Sequence, residues 1–274
     1  MKFLNRFAKF LSVVPLAAAG LFATQGTAQA TVILEGSDAI GFHCPLGSAG
    51  GCTYRDQVWS AIGGASLNPI LVVGANVTGT ATGSGTHAVV NMADLSGAGA
   101  LSSYAAVYFL AGGGCCDSNP GTLVGRQADV SAYASGGGTV MIEDYEGAAG
   151  WDFLTGGSGN SAFVAGVGGA LTGPGCTDGE TVTAEGSSNG FTQPPPIGCW
   201  THQAMVYSHF AALGFTKSFF DADPAFAAAN PGMGDFSSLL SNGVTLSHTP
   251  EPGSIALIGL AIAGFAATRR RKAA

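Results

Sequence analysis

Length, charge and composition limit the class of protein. The chain has 274 residues, a formal net charge of −7 at pH 7, 44 glycines and six cysteines. Residues 31–249 hold three Lys or Arg against 16 Asp or Glu, a net charge of 3 − 16 = −13. A body this acidic repels nucleic-acid phosphates and anionic polymers, which excludes nucleic acid as a partner and leaves divalent cations or neutral glycans.

The first 30 residues have the pattern of a signal peptide. Three basic residues precede an apolar run at 10–23, and Ala28 and Ala30 supply the small −3 and −1 residues of a signal-peptidase site. We expect the Sec machinery to export the chain and signal peptidase to remove residues 1–30, which leaves Thr31 as the mature N-terminus. An uncut anchor helix is the alternative, and the short apolar run disfavours it.

The exported body alternates apolar strands with helices. Such near-continuous apolar strands predict a mostly parallel sheet covered by helices on both faces, an α/β fold. We expect one domain over 31–248, with a core at about 31–155 and a Gly-rich extension at about 156–248 that completes or caps it. The predicted strands are 31–36, 69–74, 104–114 and 139–145; the predicted helices are 54–64, 122–135 and one within 199–215; residues 235–246 are expected to form a short helix and a closing strand.

Two stretches of the body carry a family resemblance. "YAAVYFLAGGG" at 104–114, followed by "TLVGRQADVSAYASGGGTVMIEDYEG" at 122–147, resembles the flavodoxin-like core of class I glutamine amidotransferase-like proteins, including the ThuA-like group. The resemblance implies a flavodoxin-like sheet. In true amidotransferases a cysteine nucleophile occupies the sharp turn after the last of these strands. Tyr145 occupies that place here, so the nucleophile and glutaminase chemistry are not carried over.

Six cysteines in an exported chain predict disulfides. Six cysteines allow 15 pairings, and we favour the two that close local loops, Cys44–Cys52 and Cys176–Cys199. Cys115 and Cys116 are adjacent, and a catalytic thiolate or a metal site is the alternative use of the cysteines. The absence of a CxxC pattern with matching histidines argues against the metal.

Acidic residues follow the predicted strand at 139–145. Glu143, Asp144 and Glu146 fall where ligands of open α/β sheets bind, so they could hold a hard cation such as Ca²⁺ or act as acid and base. Contacts to a helix N-terminus and to solvent are the simpler alternative. His202 and His209, seven residues apart, form a weak metal pattern for which a surface role is favoured. The sequence assigns no catalytic residue and no resident cofactor.

The C-terminus combines a rigid turn, an apolar run and a basic cluster. Residues 253–268 are uncharged and, as a single transmembrane helix, would span about 24 Å, which is marginal against a hydrocarbon core of about 30 Å. The basic cluster should keep the tail cytoplasmic and the body outside. Pro250 and Pro252 keep Glu251 out of a helix. The basic cluster consists of Arg269, Arg270, Arg271 and Lys272.

This order of features, at 249–274, resembles the PEP-CTERM sorting signal of Gram-negative bacteria. The resemblance implies an exosortase, an inner-membrane cysteine protease, as partner, with transient anchoring before release to the cell surface or outside. Proteins with this signal often belong to biofilm or exopolysaccharide systems, so the favoured interpretation is a non-enzymatic component of the cell surface or extracellular matrix, with extracellular polysaccharide as a further partner. The alternatives are a permanent anchor for the tail and, for the body, an extracellular hydrolase or a carbohydrate- or cation-binding module.

Overall fold

One nine-stranded sheet organises the body of the protein. The computed structural model describes residues 31–44, 49–74, 87–111, 118–156, 181–192, 203–221 and 235–243. Its sheet has the order β3-β2-β4-β5-β1-β9-β8-β6, and β7 pairs with β9. The strands are β1 (Thr31–Glu35), β2 (Ile70–Val73), β3 (Val89–Met92), β4 (Ala106–Phe109), β5 (Thr139–Ile142), β6 (Thr181–Val182), β7 (Met205–Val206), β8 (Lys217–Asp221) and β9 (Phe236–Ser241).

The sheet has a parallel half and an antiparallel half that meet at β1. Strands β3, β2, β4, β5 and β1 run parallel, in register from their first residues onward. Strand β9 runs antiparallel to β1, and β8 and β6 continue in alternating directions. The predicted α/β architecture is therefore confirmed, and strands β6 to β9 of the Gly-rich extension belong to the same sheet.

The strand order differs from a doubly wound sheet in one respect. If β2 is taken as the first strand, the order β3-β2-β4-β5-β1 repeats the 2-1-3-4-5 order of flavodoxin-like sheets. The fifth position is filled by the N-terminal strand β1 and not by a strand that follows β5. The resemblance, which is carried by the motifs at 104–147 and extends only loosely over 31–150, does not specify the position of β1 in the sheet.

Two apolar layers cover the two faces of the sheet. Alternate residues of each parallel strand point to opposite faces, as in Val32 and Ile33 of β1. Helix α1 (Ala49–Gly63) packs Trp59 on one face, where its ring meets the Tyr108 ring edge-on at 4.9 Å. Helix α2 (Gln127–Ser135) and Trp151 cover the other face. Strands buried on both faces explain the continuous apolar runs of the sequence.

The remaining helices are short, and two predicted elements differ from the structure. Among the described residues, three α-helices follow α2: α3 (Asp152–Thr155), α4 (Ala184–Ser188) and α5 (Tyr207–Ala212). In the region predicted as one helix within 199–215, β7 precedes α5. The short helix predicted near 235 is wrong, because residues 236–241 form strand β9. Helix α2 begins at Gln127, after a separate turn at Pro120–Leu123, and not at Thr122.

Candidate functional site

Two buried glutamates lie side by side where parallel strands β1 and β5 end. Leu34 pairs with Ile142 in the register of these strands, so Glu35 and Glu143 occupy the next positions along them. The side chains of both are almost fully buried, as are those of Asp38 and Asp144 just beyond. Four acidic residues are therefore buried near the strand ends, and the charges of Glu35 and Asp38 act on Glu143.

Glu143 is held by backbone amides from two other segments. Its Oε1 accepts hydrogen bonds from Ile40 N at 2.9 Å and Gly41 N at 2.6 Å, and its Oε2 accepts one from Ala111 N at 2.9 Å. A Cβ atom at Gly41 would lie 2.5 Å from the Glu143 carboxyl, so this approach requires glycine. The carboxyl group thus ties the π-helical turn at Ala39–His43 and the end of β4 to the end of β5.

Glu35 is bonded within the core by two hydroxyl groups. Ser37 Oγ donates to Glu35 Oε1 at 2.8 Å, and Tyr108 Oη donates to Glu35 Oε2 at 3.0 Å. Burial raises the pKa of Tyr108 well above its ordinary value, and the charges of Glu143 and Glu35 raise it further. The phenol therefore stays protonated and remains a hydrogen-bond donor.

The paired carboxyl groups change the acidity of Glu143. Burial is the largest cause that raises the pKa of Glu143 well above its ordinary value, and the charge of Glu35 acts in the same direction. The amides of Ala111 and Gly41 lower the pKa, but less, and Asp38 raises it slightly. Because two buried carboxylates side by side repel each other, one of them is expected to hold a proton at neutral pH.

A partly exposed histidine lies beside Asp38, whose charge acts on Glu143. Asp38 Oδ1 lies 3.2 Å from Nε2 of His43, whose side chain is 20% exposed. Sequence reasoning found Glu143 and Asp144 but missed Glu35, Asp38 and Tyr108. Glu35 was visible as an acid directly after the apolar run of β1, and pairing of two predicted parallel strands would have brought it beside Glu143.

The turn after β5 has left-handed backbone geometry, and a tyrosine stands where the amidotransferases have their cysteine nucleophile. Asp144 has a φ of +48°, and Tyr145 N donates to Glu35 O at 2.7 Å. Tyr145, at the position of the amidotransferase cysteine, is fully buried; its hydroxyl lies 3.3 Å from Thr155 Oγ1 and its ring meets Phe210 edge-on. The Tyr145 side chain is thus part of the core between β5 and α5.

The three residues proposed as a ligand site do not behave alike. Glu143 and Asp144 are buried, whereas Glu146 is half-buried. Within the residues that the structure describes, no three His, Cys, Asp or Glu side chains are grouped so as to hold a metal ion. His209 is exposed and packs its ring against Phe210, and His202 lies outside the described residues.

One predicted disulfide lies beside this site. Cys44 and Cys52 are bonded, which ties the turn at 39–43 to the first turns of α1. The Arg55 side chain covers the bridge, with Nη1 3.3 Å from Cys44 Sγ. The other four cysteines, Cys115, Cys116, Cys176 and Cys199, lie outside the described residues.

The residues predicted to be processed flank the sheet. Strand β1 begins at Thr31, the residue expected to follow signal-peptide removal. Ala28 and Ala30, the Pro-Glu-Pro turn and the basic cluster lie outside the described residues, as does the apolar run at 253–268. The described part of the chain contains no helix that is both long and apolar enough to cross a membrane.

Comparison with known proteins identifies the C-terminal segment. Residues 248–272 match the sequence family described as the PEP-CTERM protein-sorting motif. No curated protein and no solved structure matches the chain significantly. The match covers the turn, the apolar run and the basic cluster that the sequence analysis singled out. The chain therefore carries a PEP-CTERM sorting signal, which implies an exported protein that is targeted to an exosortase.

Proposed function

We propose that this protein is a non-enzymatic component of the cell surface or extracellular matrix, released by exosortase cleavage near Pro250-Glu251-Pro252. The observation that carries the proposal is the sorting motif at 248–272. Signal peptidase and the Sec machinery act first, and the released domain then joins a biofilm or exopolysaccharide matrix. In this proposal the apolar run at 253–268 is a transient membrane span.

The proposed domain is flavodoxin-like in architecture and structural in role. The five parallel strands support this architecture, with β1 in the fifth position. The carboxyl groups of Glu35 and Glu143, at the strand ends where an enzyme of this class would place its chemistry, accept hydrogen bonds from backbone amides and hydroxyls of the protein itself. A carboxyl group that fixes three segments contributes to stability and leaves little capacity for a substrate.

The cleavage step is tested by the intact mass of the mature protein. In the normal host we expect a chain that begins at Thr31 and lacks the residues from about Gly253 onward. Replacement of Pro250, Glu251 and Pro252 by alanine, or deletion of the exosortase, should leave a longer, membrane-retained form. Alanine at Thr245, Leu246 and Ser247, just before the motif, is the matched control. Recovery of Arg269–Lys272 on the mature protein would contradict the proposal.

The non-enzymatic role is tested by complementation. Asp144→Asn keeps the size of the side chain, and asparagine tolerates left-handed backbone as aspartate does. Glu35→Gln keeps an oxygen that can accept from Tyr108. A host that lacks the gene and carries either variant should retain a normal amount of matrix-bound protein and polysaccharide. Loss of the matrix phenotype with normal levels of folded variant would favour an enzyme.

A further inference from the structure

Both processed ends of the chain leave the domain from the same edge of the sheet. Asn242, just after β9, lies beside Val32: Val32 N donates to Asn242 Oδ1 at 2.6 Å, and Asn242 N donates to Val32 O at 3.1 Å. A Cβ atom at Gly243 would lie 2.7 Å from Thr31 Oγ1, so the two ends of the domain touch. The signal peptide precedes Thr31 and the sorting motif follows at 248, so both membrane segments are attached here.

We call this side the lower edge and the opposite side the upper edge. The lower edge is where the parallel strands begin and β9 ends. The upper edge is where the parallel strands end and β9 begins. The described residues of the lower edge are Thr31, 64–69, 87–88, 100–105, 136–138, 213–217 and 242–243; those of the upper edge are 35–44, 74, 93–94, 110–111, 143–148, 221 and 235.

The two edges differ in charge. Among the described residues of the lower edge, Lys217 carries a formal charge, and its Nζ lies 3.1 Å from Oε2 of Glu185, so these two side chains form a neutral pair at this edge. The described residues of the upper edge contain no Lys or Arg, and the two arginines that lie against them, Arg55 and Arg126, are each paired with a neighbouring carboxylate, Asp56 or Asp129. Besides the buried acids, the upper edge has four carboxylates that reach solvent. These four are Asp94, Glu146, Asp221 and Asp235. The lower edge can therefore approach an anionic lipid surface without the repulsion that the upper edge would meet.

The length of the C-terminal tether fixes which edge faces the membrane. Nine residues separate Gly243 from the apolar run that begins at Gly253, and they reach about 32 Å when fully extended. A domain of about 220 residues has a radius of gyration of about 17 Å and so a diameter of roughly 44 Å. A tether that starts at the lower edge is thus too short to pass around the domain and turn the upper edge toward the membrane.

The lower edge also carries a fully exposed apolar side chain. Leu67, in the loop before β2, has a relative exposure of 101%. The neighbouring residues of this loop are uncharged, from Gly64 to Pro69. A leucine at the tip of an uncharged loop can enter the interfacial region of a bilayer. One leucine is too little to hold a free domain on a membrane, but a tethered domain meets the surface at high effective concentration.

We propose that the lower edge, with Leu67 at its tip, docks on the phospholipid surface of the inner membrane while the chain awaits exosortase. Docking holds the Pro-Glu-Pro turn close to the bilayer, and it ends when the cut removes the tether. This inference rests on the proposed exosortase cleavage. It adds that the folded domain contributes a membrane-facing surface and that the upper edge points away from the lipid.

Matched charge variants in the native host test the proposal. Leu67→Glu with Ser102→Glu adds two carboxylates to the lower edge, and Val124→Glu with Ser96→Glu adds two to exposed positions outside it. Val124 precedes the N-terminus of α2 and Ser96 follows Asp94 of the upper edge. One charge near an anionic surface changes binding by about fivefold. We therefore expect pulse-chase labelling to show the cleavage half-time lengthened about fivefold or more for the lower pair and less than about twofold for the control pair.

The outcomes separate this inference from the proposed function. If the unmodified chain is not cut by the exosortase, the proposed function fails. If the unmodified chain is cut and both pairs are cut equally fast, or are slowed equally, the docking surface is refuted while the cleavage proposal stands. Melting temperature and the Cys44–Cys52 bond report whether each variant folds.

A second measurement does not depend on cleavage rate. Uncut precursor from an exosortase-deleted host carries a fluorescent noncanonical residue at 67 or at 124 and is reconstituted into vesicles of phosphatidylethanolamine, phosphatidylglycerol and brominated phospholipid. We expect bromine to quench the probe at 67 and not the probe at 124. Equal quenching at both positions, or none at 67, would overturn the proposal.

Discussion

Replacement of Glu143 by alanine should destabilise the protein severely. The substitution leaves the amides of Ile40, Gly41 and Ala111 without their acceptor in a site where the side chain is fully buried. A buried donor that loses its acceptor costs about 1–3 kcal/mol, and since the amides of Gly41 and Ala111 are only partly buried, the three together cost on the order of 3 kcal/mol. Domains are typically stable by about 5–15 kcal/mol, so this loss removes a large part of the free energy of unfolding.

Glu143→Gln separates the hydrogen bonds from the ionisation. The amide oxygen can still accept from Ile40 and Gly41, whereas the amide nitrogen cannot accept from Ala111, so we expect a loss of about 1–3 kcal/mol at pH 5. The pKa of Glu143 is raised in the folded state, so the folded protein keeps a proton that the unfolded chain releases. Stability is therefore fully present below the ordinary glutamate pKa and falls as the pH rises through the raised value. Glutamine removes this fall.

Urea unfolding of the mature protein from pH 5 to pH 8 measures both effects. The unmodified protein should lose stability with rising pH, and Glu143→Gln should show a flatter profile. Asp129→Ala, which removes an exposed partner of Arg126, is the control and should change stability by less than about 0.5 kcal/mol. A Glu143→Ala protein within 1 kcal/mol of the unmodified one, or a stability that rises with pH with an unchanged slope in Glu143→Gln, would refute the assigned role of this carboxyl group.

Three further predictions concern processing, disulfides and chemistry. N-terminal sequencing should read Thr31 first, and leucine at Ala28 and Ala30 should block the cut; recovery of Met1 on the exported protein would contradict this. Cys52→Ser opens the nine-residue loop from Cys44 and should cost about 2.6 kcal/mol on chain-entropy grounds, and non-reducing peptide mapping should also find Cys176 bonded to Cys199. Purified protein should release no ammonia from glutamine because Tyr145 stands in the nucleophile position; release that a single substitution in 31–248 abolishes would disprove this.

The fully buried strands could be predicted from the sequence, whereas the strands that contain polar residues could not. β1, β2, β4 and β5 were predicted because they are buried on both faces and read as unbroken apolar runs. β3 was missed because it is a half-exposed edge strand within a stretch of Gly, Ser and Ala. The sequence could not give the pairing of β1 with β5 and β9, which joins residues far apart in the chain.

Strand β9 was mistaken for a helix for a specific reason. Phe236, Leu239 and Leu240 are spaced three and four apart, as on one face of a helix. In the structure the serines between them, Ser237 and Ser238, are buried too, and the hydroxyl of Ser237 is satisfied by a hydrogen bond that its Oγ donates to Phe220 O at 2.9 Å. The candidate site could also be predicted only in part, because strand pairing between distant segments cannot be read from local sequence. Glu143 was found from its own strand, but its partner Glu35 depends on a pairing between segments about 100 residues apart.

The pairing of β1 with β9 sets an order of events during export. Val32 and Asn242 are 210 positions apart. Strand β1 is therefore exported early and can pair its second edge only after β9 has also been exported. Closing a loop of that length costs on the order of 5 kcal/mol in chain entropy, which the short β1–β9 contact cannot offset before the rest of the sheet has formed. A chain interrupted before residue 236 would leave one side of β1 with open backbone donors and acceptors, a template for aggregation. The sorting motif lies only a few residues beyond the strand that closes this gap, so the exosortase meets its signal at about the moment the sheet is complete.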